Sequence, residues 1–251
     1  MSELSIRILV LAAAVIQIVT PFFVNPFREG HQAFRVAEPS RIEPAAYAFA
    51  IWGPIYVLAL AYAIWQLTPG GRADPLTLRI APIAIALYLG SSLWLAAAKF
   101  GPFWATMPIL AAMAACACVI LVNATSPTES TMLRTWLMVV PFAIYAGWTT
   151  CAVFVNIAEV APGYGFNRFG LSIPAYGVLS IAVAAMLAAV VLWLARGQLA
   201  FAATVIWALA AIMVAARERG ADPEISVAAG AAIAVLLLQT FTLNVLSTRA
   251  H

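Results

Sequence analysis

Eight apolar stretches, each about as long as a bilayer is thick, set the terms on which this chain can fold. They run Ser5–Val24, Ala46–Leu67, Leu78–Ala98, Phe103–Val122, Met132–Ala158, Pro174–Leu194, Leu199–Ala216 and Ile225–Leu246. A helix that crosses a bilayer needs roughly 17–25 predominantly apolar residues. In hydrocarbon a spanning segment must also satisfy its own backbone, which leaves helices or closed barrels. The separators carry turn chemistry, such as Thr68-Pro69-Gly70-Gly71, Phe100-Gly101-Pro102 and Pro162-Gly163-Tyr164-Gly165. The chain is therefore expected to be an all-α integral membrane protein with eight transmembrane helices and both termini on one side.

Composition agrees. Of the 251 residues 65% are hydrophobic and 9% charged, and the mean hydropathy is +0.98. A soluble domain carries roughly 25% charged residues. The net charge is only +3, and the basic residues are scattered with no more than three to a loop, which excludes nucleic acid as a partner and leaves membrane lipid. Arg7 precedes the first apolar run as in a signal peptide, but no small-residue cleavage site follows, so the run reads as a retained helix. Arginine and lysine divide six against seven between the two sides, which gives no orientation.

Cys116, Cys118 and Cys151 all lie within apolar runs. An odd set without nearby histidine or carboxylate suits small packing residues rather than a disulfide framework or a metal site. No nucleophile–base spacing, phosphate loop or dinucleotide fingerprint occurs, and no catalytic residue is assigned. No array of intramembrane charges marks an ion pathway.

Two segments carry the functional signal. The first is Pro44–Leu67, with Trp52-Gly53-Pro54-Ile55-Tyr56 at its centre. Trp52 and Tyr56 are four residues apart and share a helical face. Pro54 removes a backbone donor, and Gly53 is expected to admit a neighbouring backbone. The second is the fifth segment, where Tyr145, Trp148, Ala152 and Asn156 are spaced 3, 4 and 4. That face is aromatic, then small, then amide. It fits either interhelical glue or a ligand wall. In the third segment, Tyr88, Ser91, Ser92 and Trp94 form an aromatic–hydroxyl patch that ordinary helix packing also explains. Val160 to Arg168 matches a loose sterol-contact pattern of aliphatic, tyrosine and basic residues. The long polar loop, residues 25–45, holds Arg28, Glu29, His31, Arg35, Glu38, Arg41 and Glu43. The last three helices are rich in Ala, Val and Leu, as close helix packing requires.

These segments resemble the TspO/MBR family, the tryptophan-rich sensory and translocator proteins. The family's second helix carries Phe-Gly-Pro-Val-Trp-x-x-x-Tyr. Phe49-Ala-Ile-Trp52-Gly-Pro54-Ile-Tyr56 is similar, with Gly-Pro and Trp reordered. Ser91-Ser-Leu-Trp94 resembles the family's Asn-x-x-Trp, with Ser for Asn. The stretch Pro141-Phe142 to Asn156 keeps the family's Pro, Trp, Ala and Asn spacing, with Phe142 in place of Tyr. The resemblance covers residues 1–160 and implies a five-helix core whose long first loop closes a pocket. Residues 161–251 are then a three-helix membrane extension. The implied ligands are flat and hydrophobic, a tetrapyrrole or a sterol-like molecule, with no cofactor required. Carried over, the ligand-binding candidates are Trp52, Tyr56, Trp94, Phe142, Tyr145, Trp148 and Asn156. A transporter of a hydrophobic small molecule, or a structural subunit of a homo-oligomer or membrane complex, is the alternative.

Overall fold

The computed structural model describes residues 2–24, 40–126, 131–166, 168–220 and 222–249. Of the expected lid, residues 25–39 lie outside the described residues. Among the described residues the chain is helical without strands, and eight helical segments are long and apolar enough to cross a membrane. The protein is a multi-pass integral membrane protein. Its main helices are α1 (Glu3–Phe23), α2 (Trp52–Trp65), α3 (Pro75–Phe100), α4 (Thr106–Ala124), α5 (Val140–Val160), α6 (Ile173–Leu194), α7 (Leu199–Arg219) and α8 (Pro223–Arg249).

Local chemistry sets their ends. Ser2 caps α1 by accepting from the Ser5 N–H, and Asp74 caps α3 by accepting from Leu76 N–H, with Pro75 as the first helical residue. Both are favoured N-terminal arrangements. Gly220, at φ 62°, closes α7 in the left-handed region that glycine enters without penalty.

Two segments expected as plain helix differ. Pro44–Leu67 is a 3₁₀ helix over Ala46–Ile51 that passes into α2 at Trp52. Pro54 consequently sits in the first turn of α2, where its missing N–H has no intrahelical acceptor to lose. Gly53 is exposed, and a Cβ there would meet nothing within 4 Å. The expected close backbone approach at Gly53 is absent. Before α5, Thr135–Val139 forms a π-helical turn in which Val140 N–H donates to Thr135 O. Pro141 follows at once and cannot donate, so the wider turn lies where the regular ladder would break.

By packing, the described residues form two compact units whose boundary lies within α5. The first holds α1 to α4 and α5 as far as Ala146; the second holds residues 40–50, α5 from Gly147, and α6 to α8. The boundary expected at residue 160 follows the family resemblance, whereas this grouping follows contacts.

In the first unit α1 and α4 both pack on α3. Gly90 makes the α3–α4 approach possible, because a Cβ there would lie 2.8 Å from Met113 Cγ. Arg7, read from sequence as flanking charge, is instead a buried part of α1, 3% exposed. Its Nη1 donates to Gln66 O at 2.7 Å and to Thr77 Oγ1 at 2.8 Å. Arg134 is also buried; its Nε meets Asp74 Oδ2 at 2.7 Å, and Nη1 donates to Ala124 O.

In the second unit α8 packs on α7 and α6. Small residues permit it: Ala202, Ala208, Ala211 and Ala215 of α7 are all buried. Gly147 lets α5 meet α7, since a Cβ there would lie 2.8 Å from Thr204 Cβ and 2.9 Å from Phe201 O. Residues 40–50 are tied to α7 by their backbone. Ala45 N–H donates to Ala211 O, Trp207 Nε1 donates to Ala48 O at 3.4 Å, and Arg219 Nη2 donates to Arg41 O at 2.8 Å.

Candidate functional site

The aromatic residues of α2, α3 and the start of α5 converge in the first unit. Trp52, half-buried at the N-terminus of α2, is the hub. Its ring lies 5.6 Å from Tyr56 one turn on, as the four-residue spacing predicts. It stacks at 6.3 Å and 24° on Trp94 of α3 and meets Tyr145 of α5 edge-on at 6.1 Å and 89°. Offset-stacked and edge-to-face pairs at such separations are the favoured aromatic geometries. The chain of rings continues inward from Tyr145 to Tyr88, then to Phe142 at 6.4 Å and 8°, and from Phe142 to Tyr62 at 4.8 Å.

Five of the seven residues expected from the sequence therefore meet: Trp52, Tyr56, Trp94, Phe142 and Tyr145. The other two are buried residues of the second unit, where Trp148 meets Phe49 edge-on at 5.8 Å and Asn156 is 6% exposed.

The polar groups in this cluster are unevenly served. Tyr145 Oη donates to Gln17 Oε1 of α1 at 3.3 Å. Ser91 Oγ faces the Tyr56 and Tyr145 hydroxyls without hydrogen-bond geometry to either. Among the described residues, Gln17 Nε2, Tyr62 Oη, Tyr88 Oη, Ser91 Oγ and Trp65 Nε1 are buried and hold no hydrogen bond. Each such group costs about 1–3 kcal/mol while it stays unmade. Tyr62 and Trp65 lie further along α2, away from Trp52, whereas Gln17 Nε2, Tyr88 Oη and Ser91 Oγ lie about Tyr145, where a bound polar edge would satisfy them.

Sequence reasoning left Gln17 and Tyr62 outside the site, and it set Tyr88 and Ser91 aside as packing. Tyr88, Ser91 and Trp94 were findable, because steps of three place them on one face of α3. Gln17 shares the buried face of α1 with Arg7, Val10, Ala13 and Ala14 and has no aromatic residue beside it on that helix face, and Tyr62 falls off the Trp52–Tyr56 stripe.

The family model described as TSPO-like protein matches residues 4–242, a span that includes α1 from its second residue, all of α2 to α7 and most of α8. The match therefore continues through the last three helices, beyond the residues on which the sequence resemblance rests. No curated protein and no solved structure matches the chain.

Proposed function

Because the chain belongs to the TSPO-like protein family, we propose that its first unit binds a flat, hydrophobic ligand with hydrogen-bond acceptors along its edge, of the tetrapyrrole or sterol-like class. The observation that carries this reading is the pairing of stacked rings around Trp52 with buried donors that hold no partner. Rings offer area to a planar molecule at little entropic loss, and the donors give it orientation.

In this reading Trp52 and Trp94 stack against the ligand, Tyr56 flanks it from the half-buried rim, and Phe142 supports the floor. Gln17 Nε2, Tyr88 Oη and Ser91 Oγ supply donors to a carbonyl, carboxylate or ring nitrogen. Tyr145 orients Gln17 by bonding its oxygen, which leaves the amide N–H groups for the ligand. Trp148 and Asn156 are candidates carried from the resemblance. In this reading the protein acts as a binding or sensory component.

The test is titration of the detergent-purified full chain with protoporphyrin IX, read by tryptophan fluorescence quenching. Trp52→Ala is expected to weaken binding by about 1–3 kcal/mol, the scale of one lost aromatic stack with its buried area. Saturable binding that Trp52→Ala and Ser91→Ala both leave unchanged would remove the ligand from this cluster.

A further inference from the structure

Residues 40–48 run along α7 in the opposite direction to it. Arg219 Nη2 donates to Arg41 O and Glu43 O, Ala45 N–H donates to Ala211 O, and Trp207 Nε1 donates to Ala48 O. Each step forward in this strap thus meets a residue nearer the start of α7. Ile42 is 1% exposed, and Gly177 of α6 makes room for it. A Cβ at Gly177 would lie 3.0 Å from Ile42 Cγ2 and 2.7 Å from Ile225 Cδ1 of α8. Ser40 and Arg41 share a cleft with Ala158, near the end of α5. Residues 40–45 form neither helix nor strand. Docking on the helices of the second unit, rather than a ladder of their own, keeps them in place.

Glu159, in the last turn of α5, adjoins Ala158 of that cleft. It is only 8% exposed and holds no hydrogen bond or ion pair among the described residues. The charged groups that face it are Glu43 of the strap and Arg219 of α7. Arg219 is exposed and directs Nη2 to the two strap carbonyls, while Arg41 is turned to Asp222 at 3.5 Å. A buried carboxylate with a like charge opposite it and no donor is costly when ionised. A proton removes both penalties.

We propose that Glu159 holds residues 40–48 in their seat on α5 and α7 while it carries a proton, and that its ionisation against Glu43 releases them. The seated form then binds one proton more than the released form, so rising pH favours release. This latch lies wholly within the second unit and does not depend on the ligand of the first.

The test is hydrogen–deuterium exchange of the full chain in detergent between about pH 5 and pH 9, corrected for intrinsic exchange. Protection of residues 41–48 should fall as pH rises, by up to roughly tenfold per unit where the two forms differ by a proton. The amides of α7 should keep theirs. Glu159→Gln, neutral throughout, should leave the strap protected and abolish the fall. Glu43→Gln removes the like charge and should reduce the fall, which keeps the question open to decision if Glu159→Gln does not fold. Protection of residues 41–48 that ignores pH in the unaltered chain, or an undiminished fall in either variant, would overturn the proposal. A parallel fall in α7 would overturn it too, in favour of general unfolding.

Discussion

Arg7 and Gln66 hold each other in both directions. Arg7 Nη1 donates to the Gln66 backbone oxygen at 2.7 Å, and Gln66 Nε2 returns a hydrogen bond to the Arg7 backbone oxygen at 2.9 Å. The exchange joins α1 to the end of α2, and Thr77 of α3 joins it through its hydroxyl. A buried guanidinium is tolerated where such oxygens replace water.

Removing the amide should therefore be worse than removing the charge. Gln66→Leu removes the Oε1 acceptor at 3.3 Å from the guanidinium and leaves the buried Arg7 and Ala63 carbonyls without the Nε2 donor, and we expect a loss of about 2–4 kcal/mol. Arg7→Met removes the charge along with its needs and should cost about 1–2 kcal/mol. Thermal unfolding of the two variants in one detergent checks the order, and a more stable Gln66→Leu would contradict it.

Tyr88 and Tyr145 should respond oppositely to loss of the hydroxyl. Tyr145→Phe breaks the bond to Gln17 and should destabilise by about 0.5–1.5 kcal/mol. Tyr88→Phe removes a buried hydroxyl that holds no hydrogen bond and should be neutral or stabilising. If Tyr88 serves the ligand, the same variant should bind protoporphyrin IX more weakly while melting no lower. Unfolding curves with and without porphyrin separate the two effects.

Glycine should matter at Gly147 and not at Gly53. Gly147→Ala pushes a methyl group against Thr204 and the Phe201 carbonyl, and overpacking of this kind costs about 1–3 kcal/mol. Gly53→Ala adds a methyl to open space inside a helical turn and should stabilise by about 0.5–1 kcal/mol. Comparing the two melting temperatures decides it.

Single cysteines at Gln198 and Glu218, in a background lacking Cys116, Cys118 and Cys151, should label from opposite sides of the membrane, because α7 lies between them. Labelling of both by one impermeant reagent added to one face would remove α7 from the set of spanning helices.

The spans were legible because hydrocarbon allows so few solutions. The run Leu78–Ala98, read from its length and apolarity, falls wholly within α3. What escaped the sequence depends on partners far along the chain. The 3₁₀ turn at Ala46–Ile51 lies between Pro44 and Pro54, but its type is not read from them alone; it adjoins the Ala45–Ala211 hydrogen bond and is met by Trp207. Arg7 read as a flanking charge because its acceptors lie some sixty residues away. At the site, the Trp52–Tyr56 stripe was visible as a spacing of four. That Tyr88 lies against both Phe142 and Tyr145 is a tertiary fact which no periodicity within α3 contains.

The π-helical turn over Thr135–Val139 is, in effect, one residue accommodated without a loop. An α-helix advances by about 100° per residue, so the extra member turns everything before it relative to the face that bears Phe142 and Tyr145. Deleting a single residue from that turn would restore a regular ladder. It would also swing Arg134 about a quarter of the way around the axis, away from Asp74. The aromatic face and the ion pair at the helix start are thus phased to each other by one amino acid, and a shortening there would test both at once.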